Sequence, residues 1–132
     1  MRVISGNFKG KKIIEPKDTK TRPLKDLTKE SIFNIIKHSN KFKVSIENSV
    51  VLDLFSGVGS FGLECISRGA KHVTFVENYG KVLPILKKNL FEWLIMLNID
   101  SFVRSFKGLV SLSLGSINFF PLNFPPMILI NQ

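Results

Sequence analysis

The first 90 residues show a regular succession of apolar patterns. Residues 2–5 and 11–14 flank a glycine-containing turn segment and predict a small hairpin. Apolar residues at helical spacing over residues 27–38 predict a first helix, for which Asp26 or Thr28 could supply the N-cap. The chain is therefore expected to open with a hairpin and a helix.

A strand, a glycine-rich turn and a second helix are predicted next. Residues 50–54 are apolar except for Asp53, which predicts a strand buried on both faces of a parallel sheet. Gly57 and Gly59 allow the backbone to turn sharply and to approach a ligand closely, and Gly62 allows the next helix to pack against the strand. We expect this glycine loop to present a ligand to the helix N-terminus.

A further strand and helix extend the pattern. Residues 72–77 predict a strand that ends in the carboxylate of Glu77, and residues 80–90 predict a helix. The order hairpin, helix, strand, helix, strand, helix is the beginning of a doubly wound α/β sheet. We therefore predict an α/β fold with an incomplete doubly wound parallel sheet.

Asp53 separates two classes of ligand for the glycine loop. A dinucleotide fold binds a pyrophosphate on the amides of such a turn, and a carboxylate four residues before the first glycine would repel it. Adenosylmethionine carries a sulfonium and an ammonium but no phosphate, so an acidic neighbour attracts it. Asp53 favours adenosylmethionine, and an ordinary strand end followed by an ordinary turn is the alternative.

Glu77 supports a nucleoside site at a second position. It lies 18 residues after Gly59 (77 − 59), where an acid can accept the hydrogen bonds of a ribose diol. A single glutamate is more often a solvated strand end. The spacing from the glycine loop favours the binding role.

The net charge indicates a polyanionic partner. The 132 residues suit one domain, and 19 basic against 10 acidic residues give a net charge of +9. Nucleic acid is the favoured partner, and an anionic membrane surface is the alternative. The longest apolar tract, 117–130, is interrupted by Pro and Asn and is shorter than the ~20 residues that span a bilayer, so we expect no transmembrane helix.

The numbers of cysteines and histidines bear on disulfide formation, metal binding and the cellular compartment. Cys65 is the single cysteine, so no intramolecular disulfide can form, and His38 and His72 are too few to indicate a metal site. The N-terminus leads into a polar, lysine-rich stretch instead of an apolar signal segment. We predict a cytoplasmic protein without a bound metal.

Basic side chains crowd the predicted hairpin. Arg2, Lys9, Lys11 and Lys12 could bind phosphates, and Phe8 could stack on a base. A solvated hairpin with an apolar underside is the alternative. The net charge favours RNA contact.

Motifs along residues 1–90 occur in a specific order. They are Arg2-Val3-Ile4-Ser5-Gly6, Phe8-Lys9-Gly10-Lys11-Lys12, Thr21-Arg22-Pro23, Lys29-Glu30-Ser31-Ile32-Phe33-Asn34, Leu52-Asp53-Leu54-Phe55-Ser56-Gly57-Val58-Gly59-Ser60-Phe61-Gly62-Leu63-Glu64 and Val76-Glu77. Together they resemble the RsmD family of adenosylmethionine-dependent methyltransferases, which modify a guanine N2 of small-subunit ribosomal RNA. The resemblance implies a Rossmann-like class I methyltransferase fold.

The resemblance also implies a cofactor, a partner and two groups of cofactor-binding residues. The cofactor is S-adenosyl-L-methionine, and the partner is ribosomal RNA or the small ribosomal subunit. One group surrounds the glycine loop, and the other folds over the methionine end of the cofactor. The first group is Asp53, Phe55, Gly57, Gly59 and Glu77, and the second is Thr21, Arg22 and Pro23.

A second family signature is expected after the fourth strand, where Asn or Asp is followed directly by Pro-Pro and an aromatic residue. That signature holds the target amino group and stacks on the base. The candidate here is Asn123-Phe124-Pro125-Pro126-Met127, in which Phe124 separates the polar residue from the prolines. Asn123, Pro125 and Pro126 are thus the implied catalytic residues in a shifted register, and a chance resemblance is the alternative.

The composition changes at about residue 91. Residues 1–90 hold 17 basic and 8 acidic residues, a net of +9, whereas residues 91–132 hold two of each, a net of zero. We therefore divide one partial methyltransferase domain into a basic hairpin and linker (1–22), a cofactor-binding core (23–90) and an atypical apolar tail (91–132). With the shifted signature, this change leads to the hypothesis of a truncated or frameshifted product.

Three functions stay open at this point. The favoured one is methyl transfer to a guanine N2 of small-subunit ribosomal RNA. The alternative is a catalytically inactive fragment that retains RNA binding. A dinucleotide-dependent oxidoreductase is the least favoured, because Asp53 conflicts with a pyrophosphate.

Overall fold

The computed structural model describes residues 1–17, 24–40, 44–97, 104–106, 109–113 and 128–130. Three helices and five strands follow the N-terminal hairpin. In chain order they are α1 (Asp26–His38), β1 (Val50–Leu54), α2 (Ser60–Ser67), β2 (His72–Val76), α3 (Leu83–Leu97), β3 (Arg104–Phe106), β4 (Leu109–Ser113) and β5 (Ile128–Ile130). The predicted order of elements up to the third helix is confirmed.

The strands form one sheet in the order β3-β4-β2-β1-β5. β1 pairs in parallel with β2, placing Asp53 opposite Phe75, and β5 pairs in parallel with the other edge of β1. This parallel centre, with α2 as the crossover from β1 to β2, is a partial Rossmann-like α/β fold, as predicted.

Two strands depart from the predicted parallel sheet. β4 runs antiparallel to both β2 and β3. Two residues separate β3 from β4, and neighbouring strands joined so closely can pair only as a hairpin, because a parallel crossover needs a dozen or more residues. The predicted parallel sheet therefore has an antiparallel edge at β4 and β3, which the sequence did not predict.

The two central strands bury one face completely. Val51, Asp53, Val73 and Phe75 are buried on that face, whereas the alternate residues of both strands are half-buried. Burial on both faces, as predicted for β1, is therefore incomplete. The buried face lies under α2, because a Cβ built on Gly62 would come within 2.2 Å of the ring of Phe75.

The N-terminal hairpin forms as predicted. The amide of Val3 donates to the carbonyl of Lys11 (2.9 Å), the amide of Gly10 donates to Val3 (2.8 Å), and Arg2 bridges Lys12 in antiparallel register. Val3 and Ile13 are buried, so the hairpin packs onto the domain through one apolar side.

Buried charged side chains of α1 and α2 bind the backbone of the hairpin. The carboxylate of Glu64 accepts hydrogen bonds from the amides of Ile4 (2.9 Å) and Ser5 (3.0 Å) and from the Nε of Arg68 (2.9 Å). Lys29 lies with its Nζ 3.6 Å from Glu64 Oε2 and donates to the hairpin backbone at 2.7 Å. Lys29 and Glu64 are both fully buried, so each depends on the other and on these hydrogen bonds.

The helix boundaries correct two predictions. α1 has Lys25 at its N-cap and no side-chain cap, because Asp26 already lies in the first turn. α3 begins at Leu83 instead of Gly80, after a turn in which the amide of Val82 donates to the carbonyl of Tyr79 at 2.9 Å, and it continues past Leu90 to Leu97. Leu90 and Trp93 are both buried, so this longer helix extends the apolar face.

Candidate functional site

The glycine loop between β1 and α2 has left-handed backbone at three positions. Phe55 has φ +60°, Gly57 has φ +54° and Gly59 has φ +85°. Gly59 is the N-cap of α2, and a Cβ there would lie 2.7 Å from Cδ1 of Leu86. The positive φ favours glycine at position 59, and a side chain there would also displace the end of Leu86.

Asp53 is buried at the end of β1. Its Oδ2 accepts the amide of Gly62 at 3.0 Å, whereas its Oδ1 is buried without a hydrogen-bond partner among the residues that the structure describes. Burial raises the pKa of Asp53 to about 7, the hydrogen bond from Gly62 opposes that rise, and the charge of Glu77 adds to it. An unpaired carboxylate oxygen at this position is a ready partner for a cation.

Glu77 follows directly after β2 and holds the loop from the other side. Its Oε2 accepts the amide of Gly57 at 2.7 Å, and its Oε1 accepts the amides of Asn78 (2.9 Å) and Tyr79 (2.8 Å). A carboxylate offers about four acceptor positions. Amides of the described residues occupy three of them, which leaves one among these residues for an external hydroxyl.

The parallel register brings the two carboxylates to one edge of the sheet. The amide of Ser56 donates to the carbonyl of Val76 at 3.0 Å, which ties the start of the loop to the end of β2. Phe55 begins the glycine loop and Tyr79 lies two residues after Glu77, and the two residues are 62% and 38% exposed. The site thus combines two acids and a glycine turn, with two exposed aromatic residues in the adjoining segments.

The structure brings the first group of predicted cofactor residues together. Asp53, Phe55, Gly57, Gly59 and Glu77 all lie at or beside the loop. Their roles in binding remain predictions. Thr21, Arg22 and Pro23, and the predicted catalytic residues Asn123, Pro125 and Pro126, lie outside the described residues.

The predicted RNA-binding residues occupy different environments. Arg2, Lys9 and Lys12 are exposed on the hairpin. Lys11 is half-buried with its Nζ 4.8 Å from the centre of the Trp93 ring, and burial lowers its pKa. Phe8 packs edge-on against Trp93 with ring centres 5.1 Å apart. Phe8 and Lys11 therefore already have contacts within the protein, and their contact with RNA remains a prediction.

Asn89 is a site residue that the sequence analysis did not single out. It lies on the buried face of α3, and its side-chain amide donates to the carbonyl of Val58 in the glycine loop at 2.9 Å. The available signal was its spacing, because Asn89 falls between Leu86 and Trp93 on an otherwise apolar stripe. A neutral amide at such a position must satisfy its hydrogen bonds inside the protein.

The sequence model of the family described as "Conserved hypothetical protein 95" matches residues 1–114. The chain belongs to this family. The match continues past residue 90, where we expected the resemblance to end, and it includes β3 and β4.

Curated relatives carry ribosomal RNA methyltransferase names. The chain is 42% identical over 90 residues to "Putative rRNA methyltransferase YlbH" of Bacillus subtilis. The aligned region covers 68% of this chain and 46% of that protein. It is 40% identical over 90 residues to "Ribosomal RNA small subunit methyltransferase D" of Haemophilus influenzae, with 68% and 44% covered. The predicted RsmD family is thereby confirmed. The chain spans about half the length of the curated relatives it matches.

A solved structure supports the fold. "Putative methyltransferase yhhF from Escherichia coli" is similar with a TM-score of 0.57 and 30% identity, over 76% of this chain and 48% of that chain. The Rossmann-like prediction is therefore confirmed.

None of the helices in the described part of the chain is both long and apolar enough to cross a bilayer. The same part of the chain contains no group of three or more His, Cys, Asp or Glu side chains placed to hold a metal ion.

Proposed function

We propose that this chain is the cofactor-binding part of an S-adenosyl-L-methionine-dependent methyltransferase that acts on a guanine N2 of small-subunit ribosomal RNA in the cytoplasm. The observation that carries the proposal is the pair of carboxylates on opposite sides of one glycine loop. The names of the relatives support the coarser part of the proposal, methyl transfer to ribosomal RNA.

The residues present fit this cofactor. Asp53 has a buried oxygen without a partner among the described residues, which suits a ligand that carries positive charge. A Cβ built on Gly57 would meet nothing within 4 Å, so that side of the loop is open. Glu77 keeps about one acceptor position for a ribose hydroxyl. Accepting both hydroxyls of the diol would require one backbone amide to move away.

When bound, the cofactor supplies an electrophilic methyl group on a sulfonium. Asp53 would lower the electrostatic free energy of the bound cation, and Glu77 would orient the ribose. Both contributions are positioning and electrostatics, which dominate catalysis of a direct displacement. By resemblance, Asn123, Pro125 and Pro126 would hold the guanine amino group.

The same geometry disfavours a dinucleotide. Asp53 accepts the amide of Gly62, so a carboxylate occupies the first turn of α2. That is where a pyrophosphate would need uncompensated amides. A bound pyrophosphate would also face the charge of Glu77 across the loop.

RNA contact is assigned to the exposed side of the hairpin. Arg2, Lys9 and Lys12 are all exposed there, within a chain of net charge +9. Such cations bind phosphates without reading sequence. The choice of the target guanine must therefore depend on other contacts.

Two measurements test the proposal. Calorimetry with S-adenosyl-L-methionine should detect binding to the purified chain, and Asp53→Ala and Glu77→Ala should weaken it. Incubation with unmethylated small ribosomal subunits should then yield N2-methylguanine in the ribosomal RNA and release S-adenosylhomocysteine. RNA binding without cofactor binding would instead support the inactive, RNA-binding alternative.

A further inference from the structure

The side chain of Asn89 joins the end of the hairpin to the glycine loop. Its Nδ2 donates to the carbonyls of Ile14 (3.1 Å) and Val58 (2.9 Å), and its Oδ1 accepts the amide of Ile14 (2.9 Å). Asn89 is only 2% exposed, so solvent does not substitute for these bonds. One amide on α3 thus connects segments that lie 44 residues apart in sequence (58 − 14).

On the loop side, Asn89 holds one end of a peptide whose other end is bound to Ser56. Val58 lies between Gly57 and Gly59, whose backbones both have positive φ, and glycine on each side leaves the peptide that joins Val58 to Gly59 few steric restraints. The amide of this peptide, on Gly59, donates to the carbonyl of Ser56 at 2.8 Å. Its carbonyl, on Val58, accepts from Asn89, so the two hydrogen bonds together fix its orientation.

On the hairpin side, α3 is contacted at two points one helical turn apart. Ile14 exchanges two hydrogen bonds with Asn89. Phe8 rests on the ring of Trp93, and Lys11 lies over the same ring. Because Asn89 and Trp93 share one face of a helix, a displacement of the hairpin is transmitted to the residue that holds the loop.

We propose that Asn89 is a positioning residue that couples docking of the hairpin to the geometry of the glycine loop. When the hairpin is docked, the Ile14 bonds hold the side chain of Asn89 in the orientation that reaches Val58. When the hairpin is displaced, as RNA contact at its basic side chains could do, the loop loses that restraint. The consequence for cofactor affinity rests on the proposed function, whereas the coupling itself does not.

Hydrogen exchange of the whole chain tests the coupling. In Asn89→Ala the amides of Gly57 and Gly59 should exchange about tenfold faster, because a buried carbonyl loses its donor and the loop its restraint. The matched control is Ser67→Ala. Ser67 is also buried, and its Oγ binds the hairpin backbone at Ser5 (2.6 Å) and Phe8 (3.0 Å), but it lies at the far end of α2 from the loop. That variant leaves both Ile14 bonds to Asn89 in place, so it should loosen the amide of Phe8 without undocking the Ile14 end of the hairpin, and the loop amides should stay unchanged.

The same variants test the effect on cofactor affinity. Asn89→Ala should lower the affinity for S-adenosylhomocysteine by about tenfold, and Ser67→Ala should lower it by less than about twofold. If wild-type protein binds no S-adenosylhomocysteine, the proposed function fails, while the exchange measurement still judges the coupling. Equal loosening of the loop in both variants, or an unchanged loop in Asn89→Ala, would overturn the inference.

A second variant covers the case in which Asn89→Ala does not fold. Asn89→Asp retains an acceptor for the amide of Ile14 but, when ionised, cannot donate to Val58. At pH 8 it should show protected hairpin amides and a fast-exchanging loop. Protection of both segments in Asn89→Asp would equally contradict the proposal.

Discussion

Asp53 and Glu77 end neighbouring parallel strands and hold one glycine loop from its two sides. The amide of Gly62 donates to Asp53, and the amide of Gly57 donates to Glu77. Among the described residues, Glu77 accepts three backbone amides and Asp53 accepts one, so Asp53 keeps an oxygen without a partner there. In the proposed function, Glu77 therefore shapes the loop and accepts a ribose hydroxyl, and Asp53 attracts the charged cofactor.

Asp53 should make the folded protein less stable as the pH rises. Its pKa is about 7 in the folded state against 3.8 for an ordinary aspartate, so the folded state binds the extra proton between these values. Stability conferred by the protonated form is therefore present below about pH 4 and lost progressively up to about pH 7. The ceiling on this loss is on the order of 4 kcal/mol, since one pKa unit corresponds to about 1.36 kcal/mol.

Urea denaturation at pH 5 and pH 8 measures this effect. Asp53→Asn should remove most of the pH-dependent loss, because it cannot ionise and can still accept the amide of Gly62. Glu30→Gln, at an exposed position on α1, serves as the control and should follow the wild type. An identical pH dependence in Asp53→Asn and wild type would contradict the assignment.

Binding of S-adenosyl-L-methionine should release protons near pH 7. A cation beside Asp53 favours the ionised carboxylate and so lowers its pKa from about 7. Affinity should then increase with pH, by up to about tenfold per pH unit below pH 7. Calorimetry at pH 7 in two buffers of different ionisation enthalpy measures the proton count, and equal enthalpies in both buffers would argue against contact with Asp53.

Glu77→Ala should both lower the affinity for the cofactor and remove hydrogen bonds that hold the glycine loop. The substitution removes the acceptor for three backbone amides, including that of Gly57. Loss of a hydrogen bond to a charged group typically costs about 1.5–3 kcal/mol, or roughly 10- to 150-fold in affinity. Calorimetry with S-adenosylhomocysteine checks the affinity, and a variant that binds like the wild type would rule out Glu77 as the ribose acceptor.

Lys29→Ala should destabilise the domain by about 3 kcal/mol. It removes a fully buried ammonium that lies 3.6 Å from Glu64, leaving Arg68 as the nearest partner charge of that carboxylate. Lys25→Ala, on the exposed residue just before α1, should change stability by less than about 0.5 kcal/mol. Chemical denaturation compares the two, and similar small effects would show that the buried pair is not an anchor.

Charge removal on the hairpin should reduce the salt dependence of RNA binding. Lys9 and Lys12 are exposed there, so replacing both by alanine should lower the slope of log affinity against log salt by about 1.5–2. The matched control replaces Lys87 and Lys88, two exposed lysines on α3. Filter binding over a salt series measures both slopes, and equal reductions would mean that the net charge, not the hairpin, governs binding.

Local features of the sequence determined the elements around the site. Strand, turn and helix signals each extend over only a few residues. The apolar run at 50–54 predicted β1, the glycines at 57 and 59 predicted the loop, and the helical spacing that follows predicted α2, all at their observed places. The same holds for Asp53 and Glu77, because the ends of parallel strands meet at one edge of a sheet. These predictions needed no knowledge of long-range contacts.

Tertiary structure alone decided how those residues are used. The raised pKa of Asp53 arises from burial, which no local pattern measures. The three bonds of Asn89 and the buried pair of Lys29 with Glu64 join segments distant in sequence. The antiparallel β4 likewise depends on which sheet edge a later strand reaches. The sequence determines which chemical group each side chain carries. The burial of that group and its hydrogen-bond and charge partners are determined only when distant segments pack together.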